Sequence, residues 1–540
     1  MKIKSIEVGR LSAPTRLYAD YLSGKTGDLI GNGFLDNDAP ARIVSAIDNR
    51  AYRRQELYEI IRDGNIKLDS AHKTLENIEL LKNPQTLCVF AGQQTGVMIG
   101  PMYTIYKALA AVKLAEKYQE LLGHPVIPCF WMATDDHDFK EVHSAYFLNR
   151  PGELVDIAFN PVKDYGGIPI ANMTLDEGVK DFVEAVGDAL IETEFKPELM
   201  AFLKEVYRPG MKLAEAFARL FNRFLGDYGI VLVDPNFPGL KELFKDVLAT
   251  EIQNHKQTFE IYIKRSEQLL KLGYHNQVQK NAATLNVFYH NPARLNINVQ
   301  GENYVLENSR EQYSRSWFLD KVDKWPQQFS PNVLLRPIAQ CSAFPTLCQI
   351  AGPSELAYYI QLMPLFDFFR VPEPIIFPRP GMTLIEPHIG KTLSKYGLEI
   401  DQLKNNPDFS ISNVIERMFP SDAALSLISI QERLKSDLDK IAETLQKTDP
   451  EGHQLAGNLA KRFDYEMNEI RKKLKATNKK RHDDVVNQIK KAYGYLFPEG
   501  KLQERTISPV YFANKFGPRI FEEIYNGLDI DNHKHVLLEL

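Results

Sequence analysis

The chain has 540 residues, 44% of them apolar and 25% charged; this is the composition of an ordinary globular protein, long enough for two to four domains, and it excludes fibrous and largely disordered chains. A formal net charge of −5 gives no bulk attraction to nucleic acid or to an anionic membrane. Small molecules are therefore the expected partners, and the four cysteines, Cys88, Cys129, Cys341 and Cys348, are too scattered for a disulfide framework or a zinc spacing.

No run of about 18 uninterrupted apolar residues occurs, and no long apolar stretch follows the first lysines, so a cytoplasmic location with reduced thiols is expected. In chain order, residues 1–80 read as amphipathic helices packing on a core, with Tyr18, Tyr21 and Leu22 and then Ile43, Ile47 and Tyr52 on their apolar faces. Residues 81–145 form the first part of that core. Their apolar run at 86–91 stops at a glycine loop, as a strand buried on both faces does. Met102, Ile105, Leu109 and Val112 then recur at helical spacing, and after Gly123-His124-Pro125 a second buried strand at 126–132 completes a βαβ unit.

Residues 146–226 and 241–330 read as two insertions around a core strand within 227–240. In the second insertion, the alternation at 286–289 and 295–299 about Asn291-Pro292 predicts a small antiparallel element. The core resumes over 331–404, with apolar runs at 346–351 and 375–377 and a helix between them. Over 405–500, Leu427, Leu434, Leu438, Ile441 and Leu445, then Phe463, Met467, Ile470, Leu474 and Thr477, predict two antiparallel coiled-coil arms, with residues 501–540 packing back on the core. The fold class is α/β: a Rossmann-like parallel-sheet core with insertions and a helical coiled-coil domain.

Three groups of residues point to chemistry. Gly92, Gly96 and Gly100, between a buried strand and a helix, allow close approach of a ligand to the backbone, and the helix start favours an anion. Gln93, Gln94 and Thr95 at the strand end strengthen this as a phosphate or carboxylate site, in a segment that runs on to Tyr103 and Thr104. After the second strand, Asp135, Asp136 and Asp138 surround His137; such a cluster can orient an imidazole for proton transfer, raise its pKa, or hold a hard cation such as Mg2+. The third set, Arg336, Gln340, Gly352, Ser354, Glu355, Tyr358 and Arg379, lies in the returning core. Arg379 ends a buried strand, where a guanidinium calls for a carboxylate or phosphate.

With these residues the chain resembles the bacillithiol biosynthesis cysteine-adding (BshC) family. The blocks that carry the resemblance are Gly92-Gln93-Gln94-Thr95-Gly96 with 100–107, then 127–133 leading into Asp136-His137-Asp138, then 329–337 ending in Arg336-Pro337, and 351–358. They span essentially the whole chain in order. Cys341 stands after Gln340 where the family usually has Glu, and Ser354 where Gly is common. The resemblance implies a core like that of the class I aminoacyl-tRNA synthetases, a coiled coil that makes a homodimer, and ligation of cysteine to the amine of glucosaminyl-malate in the last step of bacillithiol synthesis. It further implies ATP/ADP as the nucleotide, held by the glycine loop and Lys107. Protons or Mg2+ would be managed at His137, Asp136 and Asp138, and a substrate carboxylate would face Arg336 or Arg379. Two rivals stay open from the sequence: a nucleotidyltransferase or ligase of the same core acting on another amino acid or sugar, and a non-catalytic dimeric scaffold.

Overall fold

The computed structural model describes residues 2–418, 422–446 and 448–540. It divides into two compact units, one of Met1–Arg150, Leu154–Leu384 and Lys501–Leu538, the other of Pro151–Glu153, Ile385–Gly500 and Glu539–Leu540. The division falls at Ile385, earlier than the composition shift near 405.

The first unit is built on a five-stranded parallel sheet of Leu87–Gln93, Val126–Met132, Val231–Val233, Thr346–Ala351 and Ile375–Pro378. Its strands carry apolar residues on both faces because helices cover both, and each is almost wholly buried. Taken in chain order as one to five, they lie side by side as 5-4-1-2-3, the doubly wound order read from one edge. The chain therefore moves outward from Leu87–Gln93 in one direction, then returns to place Thr346–Ala351 on the other side of it. Between these two strands the order reverses, and their carboxyl ends leave a crevice.

The helices that follow these two strands begin differently. The helix Tyr103–Leu122 ends at Gly123, whose φ of 66° closes the last turn in the left-handed conformation. The helix Pro353–Phe368 starts with proline in its first turn, and Glu355 reaches back to accept from the Gly352 amide at 2.7 Å.

The second insertion contributes the long helix Lys245–Lys271 and a five-stranded antiparallel sheet in the order Gln312–Ser314, Asn303–Leu306, Ala293–Gln300, Thr284–Asn291 and Phe329–Pro331. Its hairpin turns at Pro292, pairing Asn291 with Ala293 and His290 with Arg294. The amino-terminal region is mainly helical, with Leu17, Tyr18, Tyr21, Ile43 and Ile47 buried, but it opens with a strand, Lys2–Ile6, that the helical reading of 1–80 omitted. In the second unit, Asp422–Leu445 and Pro450–Arg481 form an antiparallel helical hairpin, with Leu438, Ala456 and Met467 buried.

Candidate active site

A cavity of about 550 Å3 opens at the crevice where the strand order reverses. Gly92, Gln93 and Gln94 reach it from the first strand, Asp135 and Asp136 from beyond the second, Gly352, Ser354 and Glu355 from beyond the fourth, and Arg379 from beyond the fifth. Tyr103, Lys107, Arg336 and Tyr358 line it from helices. Phe288 and Arg294 come from the antiparallel hairpin, and Arg505 from the returning carboxyl-terminal segment.

The glycine loop is not the open anion cradle expected of it. A Cβ on Gly92 would lie 3.1 Å from the Trp131 carbonyl oxygen, so glycine here serves the close approach of adjacent strands. Met98, Ile99 and Gly100 have φ of 51°, 70° and 69°, and a β-branched residue in that region is strained. The turn is held from inside: the Val97 amide donates to Val142 O, the Met98 amide to Tyr207 Oη, the Gly100 amide to Val97 O and the Met102 amide to Ile507 O. Val97, Met98, Ile99 and Met102 are completely buried. The loop amides are thus committed to the protein's own acceptors, and Thr95, Gly96, Gly100 and Thr104 do not line the cavity.

Lys107 is similarly committed. Its Nζ donates to Gly92 O and Gln93 Oε1, both at 2.9 Å, and meets Glu355 Oε2 at 2.6 Å. Three protons meet three acceptors, which leaves none for a phosphate. Burial lowers the ammonium below its ordinary value, with the Glu355 carboxylate the main opposing influence. Arg379, expected to face a substrate, pairs with the buried Glu504 at 2.6 Å. Burial alone would raise the Glu504 carboxyl, but Arg379 and then His535 hold it below the usual carboxylate range. A carboxylate does explain Arg379, and it belongs to this chain.

The loop after the second strand joins both insertions to the core. Thr134 O and Asp136 O accept from the Ala171 and Ile170 amides of the first insertion. Asp135 accepts from Lys241 Nζ at 2.7 Å and Asn236 Nδ2 at 3.1 Å in the second. Burial would raise Asp135; Lys241, with His290 and Arg294 behind it, overrides this and holds the carboxyl below its usual range. Asp136 accepts from Gln94 Nε2 at 2.7 Å and from the His137 amide at 2.8 Å, and lies 3.9 Å from Arg294 Nη1. The Gln94–Asp136 bond draws the glycine-rich and aspartate-rich loops together. His137 touches Arg294 Nη1 at 3.5 Å but, like Asp138, does not line the cavity. Among the described residues no three His, Cys, Asp or Glu side chains gather as metal ligands. Asp135 and Asp136 are engaged by Lys241 and Gln94, so the aspartate cluster does not fit Mg2+ as arranged.

Arg336 is different. Its Nη1 donates to Gln340 Oε1 at 3.0 Å and its Nη2 to the Tyr358 and Tyr359 hydroxyls at 3.3 and 3.2 Å. Gln340, itself outside the cavity, donates in turn to Gln349 Oε1 at 3.0 Å. Every partner of this guanidinium is neutral, and among the described residues it has no carboxylate. A half-buried permanent cation without a counter-ion, opening into a cavity, is a site for an anion. The first-turn amides of Ser354 and Glu355, at the start of the helix lining the same cavity, reinforce that sign.

The family description "Bacillithiol biosynthesis BshC, N-terminal Rossmann-like domain" matches residues 1–380, and "Bacillithiol biosynthesis BshC, C-terminal coiled-coil domain" matches 382–540. The chain belongs to the BshC family. A protein of Salinibacter ruber named "Putative cysteine ligase BshC" is 30% identical over 537 residues, covering 97% of this chain and 96% of the relative. Relatives with the same name from Chlorobium phaeobacteroides and Bacillus cereus are 30% and 26% identical, covering 92% and 99% of this chain and 91% and 100% of theirs.

In this BshC chain, Cys341 is buried and packed, its thiol pushed up to about 12 by burial. The sequence reading missed Trp131, Phe288, Arg294, Asn332, Gln349 and Arg505 as cavity residues. Arg294 was not reached by counting, because an Asn291-Pro292 turn would set it opposite Tyr289, whereas the chain turns on Pro292 alone and sets it opposite His290. It stacks 3.8 Å from the Phe288 ring centre. Arg505 carries no local signal, because only the chain's return brings it there.

Proposed function

We propose that this chain is a cysteine ligase of bacillithiol synthesis, joining the carboxyl group of cysteine to the amine of glucosaminyl-malate, with nucleotide-dependent activation of that carboxyl. The observation that carries the reading is Arg336, a cation with only neutral partners at the reversal of strand order, which fits an acidic substrate. Family membership and the names of the full-length relatives support the ligase class. A carboxylate does not react with an amine unaided, and ATP, when bound, supplies the leaving group.

The residues divide the work by position. Arg336 and the first turn at Ser354 and Glu355 hold negative charge and favour the oxyanion that forms when the amine adds to the acyl carbon. Asp136, which lines the cavity, takes the proton the attacking amine sheds as the amide bond forms and the acyl–oxygen bond breaks. Gln94 and Arg294 orient that carboxylate, and the His137 ring stands beside it with Nδ1 at 3.8 Å. The apolar wall of Trp131 and Phe288 limits water around the activated acyl group.

Incubating purified protein with glucosaminyl-malate, cysteine and ATP, with mass spectrometry for bacillithiol, tests the activity. Product with cysteine supports it; product only with another amino acid reassigns the substrate, and no product with any amino acid overturns the ligase reading. Arg336→Gln should lower kcat/KM by about 10- to 100-fold, the value of a charge-assisted hydrogen bond, in protein whose folding is checked by circular dichroism. Unchanged kcat/KM would remove Arg336 from the site.

A further inference from the structure

We propose that Arg505 is a second, outer anion ligand of the cavity and determines selectivity for substrates that carry two negative groups. The inference rests on reading the cavity as the site of an acidic substrate.

The other cations of the wall are committed to carboxylates of this chain: Lys107 to Glu355, Arg379 to Glu504, and Arg294 to the margin of Asp136. Arg336 and Arg505 are left. They differ in depth, since Arg336 is held among buried hydroxyls and amides, whereas Arg505 is exposed and, among the described residues, has no side-chain hydrogen bond or ion pair. A cavity with two guanidiniums free of any carboxylate of the chain, one more buried and one exposed, suits a ligand that carries two anionic groups.

What separates Arg505 from an ordinary surface arginine is how its backbone is held. Gln503 clamps Leu384 from both sides, accepting from its amide at 2.9 Å and donating to its carbonyl at 3.0 Å. Glu504 turns inward to Arg379 and to the Met382 amide. Two residues later, Ile507 O accepts from the Met102 amide at the start of the helix that bears Tyr103 and Lys107. The main chain is therefore fixed on either side of position 505 while the side chain is left without a partner. The backbone that carries the guanidinium is thus fixed in place, and only the side chain has to be ordered when an anion arrives. The segment following the helical unit thus supplies a ligand-binding group as well as packing.

The test compares L-malate with L-2-hydroxybutyrate, in which a methyl group replaces one carboxylate, by calorimetric titration of the full-length protein at low ionic strength. Wild type should prefer malate by about 10- to 100-fold, as expected for one additional charge-assisted contact. Arg505→Gln should lose that margin while keeping its affinity for 2-hydroxybutyrate, and Arg505→Lys should keep part of it. Arg336→Gln should weaken both ligands. A malate preference that survives Arg505→Gln, or no preference in wild type, overturns the role of Arg505 and leaves the inner site standing. Wild type that binds neither ligand overturns the reading of the cavity itself.

Discussion

His290, opposite Arg294 in the hairpin, shows how strongly buried surroundings constrain a single ring. Its Nε2 is 2.7 Å from Ser330 Oγ, and burial, then the Lys241 ammonium, against an opposing pull from Asp135, bring the imidazole down to about 3. Arg294 and His137 act in the same direction as Lys241. The ring is therefore neutral in the folded protein at any ordinary pH. The unfolded chain binds a proton on this histidine near pH 6.5, so between about 6.5 and 3 it holds a proton that the folded state does not. Stability contributed by keeping the ring neutral is complete above that window and is lost as pH falls through it. At pH 5 the loss relative to pH 7 is about 2 kcal/mol for this residue alone. Urea unfolding of wild type and His290→Gln at the two pH values measures it: the drop should be smaller in the variant by that amount, and equal drops would mean that the folded ring titrates normally.

At the scale of elements, the loop between the first parallel strand and its helix separates two uses of glycine that look alike in sequence. Gly100 has φ 69° and ψ −147°, with nothing within 4 Å of the place a Cβ would take, so only backbone strain opposes a side chain there. Gly96 has an ordinary φ of −82°, and a Cβ would make a normal contact 3.5 Å from Val142 O. Gly100→Ala should therefore cost about 1–3 kcal/mol, while Gly96→Ala should be neutral or stabilise by about 0.4–1 kcal/mol. Denaturant midpoints of the two variants would show it, and equal costs would refute the assignment of strain to Gly100. The same loop shows what the sequence made legible. Apolar runs at 86–91, 126–132, 346–351 and 375–377 are visible as buried strands because covered faces leave no room for alternation. Three glycines announce a special turn, but whether its amides point to ligand or to protein depends on Val142, Tyr207 and Ile507, which no local pattern connects to it. Lys107 and Arg379 were legible as residues of the site; their partners, Glu355 and Glu504, turned them from ligand-binding groups into structural ones. Arg505 was not legible, since its place follows from contacts made across most of the chain's length.

At the scale of the whole molecule, the second unit leaves its helical hairpin incompletely covered. The seam between the two helices buries Leu438, Ala456 and Met467, and Gln431 donates to Asp464 across it at 3.1 Å. Outside that seam, Leu425, Ile428, Leu434 and Ile441 on the first helix and Leu455, Leu459 and Ile470 on the second remain between 37% and 69% exposed. Part of the heptad pattern is thus consumed within the hairpin, and the rest lies on its outer surface. Scattered single apolar residues need no partner, but a series repeated along two adjacent helices is the surface that coiled-coil association covers. The expectation is self-association through this surface. Sedimentation velocity of the full chain should show a dimer, and Leu434→Gln combined with Ile441→Gln should shift it toward monomer with the helical circular dichroism retained. These positions flank the seam residue Leu438 and stay 37% and 49% exposed, so polar replacements should cost the assembly more than the hairpin. A wild-type monomer at micromolar concentration, or a dimer indifferent to both substitutions, would show that the exposed series has another role.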